Sequence, residues 1–205
     1  DAQKTLFDAA EKVSAPAGEA LPTPTPWYPA NPAIAARRVI PVLAGGSVFV
    51  ATEAGALAAK ENGQLLWQYT VPNIADTMPG AQMGFHRPAV LCDPAGKPQV
   101  VVVRQIVGGT RFGCLRAFRA DDGKLLWSTE TASSLGSWSL VSAPVLAGGT
   151  VLAIGIDDTT RPAPVAVFAF ETMTGRYLWQ APLGGFITLE EGHDPLVGVA
   201  LVDDD

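Results

Sequence analysis

From residue 38 onward, short apolar runs alternate with polar breaks that carry glycine or proline. Val39–Leu43, Ser47–Thr52, Ala56–Ala59 and Gln64–Thr70 read as four strands, separated by turns at Ala44–Gly46, Glu53–Gly55 and Asn62–Gly63. An Asn-Gly pair between apolar runs is a strong hairpin signal, because both residues accept the backbone twist a tight turn needs. A second set follows at Arg87–Cys92, Gln99–Arg104, Gly113–Arg119 and Lys124–Thr129, and a third at Ser142–Leu146, Thr150–Gly155, Val165–Phe170 and Arg176–Gln180. Pro195–Leu201 reads as the first strand of another set. Val100–Val103 is apolar at every position, the pattern of a strand covered on both faces.

The sets share a frame. Ala117, Gly123 and Trp127 have the same spacing as Ala169, Gly175 and Trp179, and Gly63 with Trp67 forms a looser copy. The tryptophans at 67, 127 and 179 recur after 60 and 52 residues. Four strands per unit at such a period predict an all-β fold, a β-propeller segment of about three four-stranded antiparallel blades plus the first strand of a fourth. The blades fall at about 38–71, 86–130 and 140–182, with the next starting at 193–202. Each tryptophan closes a fourth strand, where it can dock between neighbouring blades and bury about 150–250 Å². Trp67, Trp127 and Trp179, with Gly63, Gly123 and Gly175, are therefore the expected blade-docking residues.

Residues 1–36 differ from the rest. Leu6, Ala9, Ala10 and Val13 have helical spacing within residues 1–13. Pro16, Pro22, Pro24, Pro26, Pro29 and Pro32 then impose an extended arm, since proline fixes φ and removes a donor. Trp27 and Tyr28 sit in that arm as an aromatic pair that anchors it to its own body or faces a partner. The chain does not begin with Met and shows no charged n-region before an apolar run, which reads as a removed targeting segment or an internal piece of a longer chain.

Composition narrows the function classes. With 14 Lys+Arg against 20 Asp+Glu, a net charge of −6 supplies no basic face for phosphate, so nucleic acid is not an expected partner. Arg37–Arg38 and the scattered Arg104, Arg111, Arg116 and Arg119 read as solvated strand ends. No apolar run reaches the ~20 residues that span a bilayer as a helix. Cys92 and Cys114 fall on the first and third strands of one set, near opposite ends, so two free, largely buried thiols are expected.

The frame Ala-x-x-x-x-(Thr/Asp)-Gly-x-x-Leu-Trp, preceded by strands such as Ser142–Val151, resembles the PQQ-like repeat of quinoprotein propellers. Residues 142–179 carry the resemblance best, then 87–127 and 38–67. It implies a propeller fold and a bacterial envelope or periplasmic location, with one of two functions. Quinoprotein alcohol dehydrogenases of this type hold pyrroloquinoline quinone (PQQ) and Ca²⁺ on the ring axis. Non-catalytic members, such as the envelope lipoprotein of the outer-membrane barrel-assembly machinery, use the ring as a docking surface. The adjacent Cys-Cys pair of the dehydrogenases has no counterpart here, and their calcium ligands match no residue. The expectation is therefore a non-catalytic scaffold or protein-interaction module with no cofactor, completed by a protein partner or by additional copies. The alternative is a fragment of a PQQ- and calcium-dependent dehydrogenase with its site outside this chain. Three blades and a strand do not close a ring, and an open stack exposes edges and an apolar face.

The remaining chemistry-bearing residues are weak candidates. His86 and Arg87 precede the first strand of the second blade, where a propeller opens toward its channel, and are candidate partner-facing residues. Glu190, Glu191, His193 and Asp194 match no ligand spacing and read as a solvated acidic loop, as do Asp157–Asp158 and Asp203–Asp205. Ser137 and Ser142 flank Trp138, with no His or Asp spaced for a triad. Gly108–Gly109 and Gly148–Gly149 lack the following Lys-Ser/Thr of a phosphate loop. No catalytic residue is assigned.

Overall fold

Apolar runs of four to nine residues, cut by turns that only glycine enters easily, leave the chain little choice but to fold back on itself. The computed structural model describes residues 39–52, 55–72, 87–107, 113–157, 159–160 and 162–186. These form thirteen strands: β1 (Val42–Ala44), β2 (Ser47–Ala51), β3 (Gly55–Lys60), β4 (Leu65–Thr70), β5 (Ala89–Cys92), β6 (Pro98–Ile106), β7 (Gly113–Arg119), β8 (Leu125–Ser128), β9 (Ser139–Leu140), β10 (Val145–Ala147), β11 (Thr150–Ile156), β12 (Ala163–Glu171) and β13 (Tyr177–Phe186).

The described strands make three antiparallel sheets in meander order, β1-β2-β3-β4, β5-β6-β7-β8 and β10-β11-β12-β13, with β9 also pairing β11. This is the architecture of a partial propeller, and each sheet is one blade. The helix and arm expected over residues 1–36, Trp27, Tyr28, His86, the acidic loop expected at 190–194 and the strand expected at 195–201 lie outside the described residues.

The strand ends depart from the expectation for local reasons. β1 begins at Val42 and not at Val39, because Pro41 has no N–H to give the ladder. The first strand of the third blade is split in two. Pro144 falls in the gap, and the Ser142 hydroxyl accepts from the Ile154 N–H at 2.8 Å in place of a backbone carbonyl. β13 runs on to Phe186 because the long β12 offers partners along its whole length, with Leu183 bulged out between Pro182 and Gly184.

Two cores lie between the blades, and a third cluster of Val141, Ile154, Ile156, Ala163 and Val165 is buried on the third blade. Val101, Val103 and Phe118 on one face of the second blade pack with Phe49, Ala51, Ala56, Ala58 and Trp67 of the first. Val100, Val102, Leu115 and Ala117 on its other face pack with Val151, Ala153, Ala166, Phe168 and Phe170 of the third. Val100–Val103 is covered on both sides, none of the four being more than 1% exposed. Cys92 is half-buried and Cys114 buried, and both thiols are free.

Two arginines correct the reading of solvated strand ends. Arg104 and Arg116 are 2% and 1% exposed. They are held inside because strand carbonyls meet their fixed guanidinium forks. Arg104 Nε donates to the Leu140 carbonyl at 2.9 Å, tying the second blade to β9. Arg116 donates to Gln105 Oε1, to the Ile106 carbonyl and to Glu130, its carboxylate partner at 2.7 Å. Arg119 is exposed and pairs with Asp121 and Asp122. Arg111 lies outside the described residues.

Candidate functional site

In each blade four residues stand directly opposite one another across the sheet and so share one face. The rows are Val42–Phe49–Ala58–Trp67, Ala89–Val102–Ala117–Trp127 and Val145–Leu152–Ala169–Trp179. An alanine always faces the tryptophan, leaving room for the indole to lie over it. The register slips just past that pair in all three blades, and the skipped residue is Leu66, Leu126 or Leu178. The bulge turns the fourth strand so that the tryptophan leans toward the next blade.

Two of the three indoles are docked. Trp67 Nε1 donates to the Ala120 carbonyl at 2.9 Å, and Trp127 Nε1 donates to the Thr172 carbonyl at 2.9 Å. Each ring lies against the glycine three residues beyond its acceptor. A Cβ on Gly123 would stand 2.6 Å from the Trp67 ring, and one on Gly175 would stand 2.5 Å from the Trp127 ring. Both glycines also have φ of +69°, so the turn and the close approach demand the same residue. Trp67 is further packed against Phe118 and Phe49, at ring-centroid distances of 5.7 and 6.5 Å.

The third indole is open. Trp179 is 46% exposed, against 7% for Trp67 and 9% for Trp127. In its row Val145 and Leu152 are only partly covered. At the opposite end, the Gly63 turn of the first blade is exposed along residues 60–65. Leu43 and Leu65 on that blade are 64% and 51% exposed. Arg87 is exposed just before β5.

One buried charge lies between the first two blades. The Arg116 guanidinium stands 5.9 Å from the centre of the Tyr69 ring, reaching from the second blade to the first. Burial pushes the Cys114 thiol up to about 11, against the lowering pull of Arg116. Burial likewise raises the Tyr69 hydroxyl. Gln105 Nε2 is buried without a hydrogen-bond partner. The burial of Cys114 was expected from the sequence, and that of Arg116 and Gln105 was not. Arg104, directly after the apolar run Val100–Val103, and Arg116, between Leu115 and Ala117, were the available signal, because such stretches have no solvated face for a charge to reach.

Ser137 Oγ donates to Asp157, whose carboxyl is held below its ordinary range by bonds from Thr159 and Ser137, but neither histidine of the chain is among the described residues. Among the described residues no three His, Cys, Asp or Glu side chains converge to hold a metal ion. The free thiols of Cys92 and Cys114 sit on different strands and form no adjacent pair. The described residues therefore do not fit a quinone–metal centre. Among them, no helix is long and apolar enough to cross a membrane.

Three comparisons bear on this geometry. The protein-family model described as "Outer membrane protein assembly factor BamB" matches residues 12–194. No curated protein matches the chain. Among solved structures, "Europium-containing methanol dehydrogenase" superposes with a TM-score of 0.51 at 19% identity, covering 69% of this chain and 24% of that one. The chain thus spans about a quarter of that protein's length, and the likeness is one of fold.

Proposed function

Because the chain belongs to the family described as the outer membrane protein assembly factor BamB, we propose that it is a non-catalytic scaffold or protein-interaction module of PQQ-like blades. It acts in the bacterial cell envelope, associated with the membrane only indirectly, through a protein partner or the other blades of its ring. The observation that carries this reading is where the repeated residues go. Trp67 and Trp127 with Gly123 and Gly175 are committed to holding blades together, and the apolar side chains left exposed include Leu43 and Leu65 on the first blade and Trp179 and Leu183 on the third. Surfaces of that kind mark interaction sites more than reaction sites.

The test is incubation of the purified protein with PQQ and Ca²⁺, followed by dye-linked alcohol oxidation and a visible spectrum. The scaffold reading expects dye reduction at the no-protein rate and no retained quinone absorbance after desalting. Turnover with a bound quinone would replace it with the dehydrogenase reading.

A further inference from the structure

The two open ends of the blade stack are not complementary to each other. Backbone bonds align the three β3–β4-type turns residue by residue. Glu61, Ala120 and Thr172 each donate their N–H back to the start of the second strand of their own blade, to Gly46, Gln99 and Gly149. Ala120 and Thr172 are the residues whose carbonyls receive an indole, and they are 4% and 0% exposed. The first blade has an exposed glutamate at that position. Its turn is also one residue shorter. Lys60 N–H closes on Gln64, whereas Arg119 closes on Lys124 and Glu171 on Arg176. The Gly63 N–H accordingly returns to the residue three before it, and those of Gly123 and Gly175 to the residue four before.

We propose that Trp179 and its row form a half-seam for a further blade of this repeat type, one whose turn reads small residue-x-x-Gly, and that the Glu61–Gly63 turn of a second copy is excluded from it. Docking an indole there would bury the Glu61 carboxylate without a partner and set the glycine one residue out of place. The stack is therefore polar. It can grow at the third blade through a tryptophan, and any contact at the first blade is made by other means. This goes beyond the scaffold reading, because a propeller of either functional class needs the seam.

Sedimentation velocity across a hundredfold concentration range tests it on the whole chain. Unmodified protein and Trp179→Ala should sediment alike. Glu61→Ala with one aspartate inserted after Asn62 rebuilds the second blade's turn on the first. That variant should self-associate head to tail, and adding Trp179→Ala should abolish the association. A mass in the unmodified protein that depends on Trp179, or a folded rebuilt variant that never associates, overturns the proposal. A second pair tests the exclusion inside an existing seam. Thr172→Glu should raise acrylamide quenching of Trp127 severalfold, while Thr172→Ala, matching Ala120, leaves it unchanged. Equal protection in the two variants overturns the exclusion.

Discussion

Cys114 shows what a single position costs the fold. Its side chain is 1% exposed, and burial disfavours its thiolate so strongly that it titrates near 11 instead of 9.0. The folded state thus holds the proton more tightly than the unfolded state does. The stability this gives is whole below pH 9 and is lost as pH rises toward 11. At about 1.4 kcal/mol per pH unit, the full loss is on the order of 2–3 kcal/mol. Urea unfolding at pH 8 and pH 11 measures it, and Cys114→Ala should remove that share of the drop. At pH 8 a thiol reagent should modify half-buried Cys92 long before Cys114. Arg104 and Arg116 belong to the same scale. Their partners are the Leu140 and Ile106 carbonyls, Gln105 and Glu130, and no spacing in the sequence marks those groups as neighbours.

At the scale of the element, the turn is where sequence and packing meet. Gly175 and Gly148 both have positive φ, +69° and +58°. A Cβ on Gly175 meets the Trp127 ring at 2.5 Å, whereas one on Gly148 meets nothing within 4 Å. Gly148→Ala should therefore cost only the left-handed backbone penalty, about 1–2 kcal/mol. Gly175→Ala should cost about 1–3 kcal/mol more through overpacking of the seam. Chemical unfolding of the two variants compares them directly, and equal losses would mean that the indole contact contributes nothing. The Ala–Gly–Trp frame was legible because each of its members has a steric reason to recur: room opposite the indole, a left-handed turn, and the indole itself. The Asn62–Gly63 signal is the instructive contrast. It marks a turn correctly, yet that turn is the odd one of the three, and the backbone bonds of Lys60, Glu61 and Gly63 locate the missing residue. The split between β9 and β10 was hidden for a similar reason, since Ser142 reads as an ordinary strand residue until its hydroxyl is seen taking the Ile154 N–H.

At the scale of the molecule, three blades share two cores, and part of the third blade's further face is itself buried at Ile154, Ile156, Ala163 and Val165. Leu43 and Leu65 are exposed on the first blade and Trp179 and Leu183 on the third, on a chain whose net charge is only −6. Exposed apolar sheet faces and strand edges favour association, and a closed ring removes them. One motif, repeated three times, is docked twice and open once. Hydrogen exchange of the indole Nε1–H groups, followed by NMR on protein labelled with ¹⁵N-tryptophan, tests it most directly. The Trp67 and Trp127 signals, held by the Ala120 and Thr172 carbonyls, should persist for hours in D₂O, and the Trp179 signal should vanish within the first spectrum. Trp179 exchanging as slowly as the other two, or either of them exchanging as fast as Trp179, would contradict it.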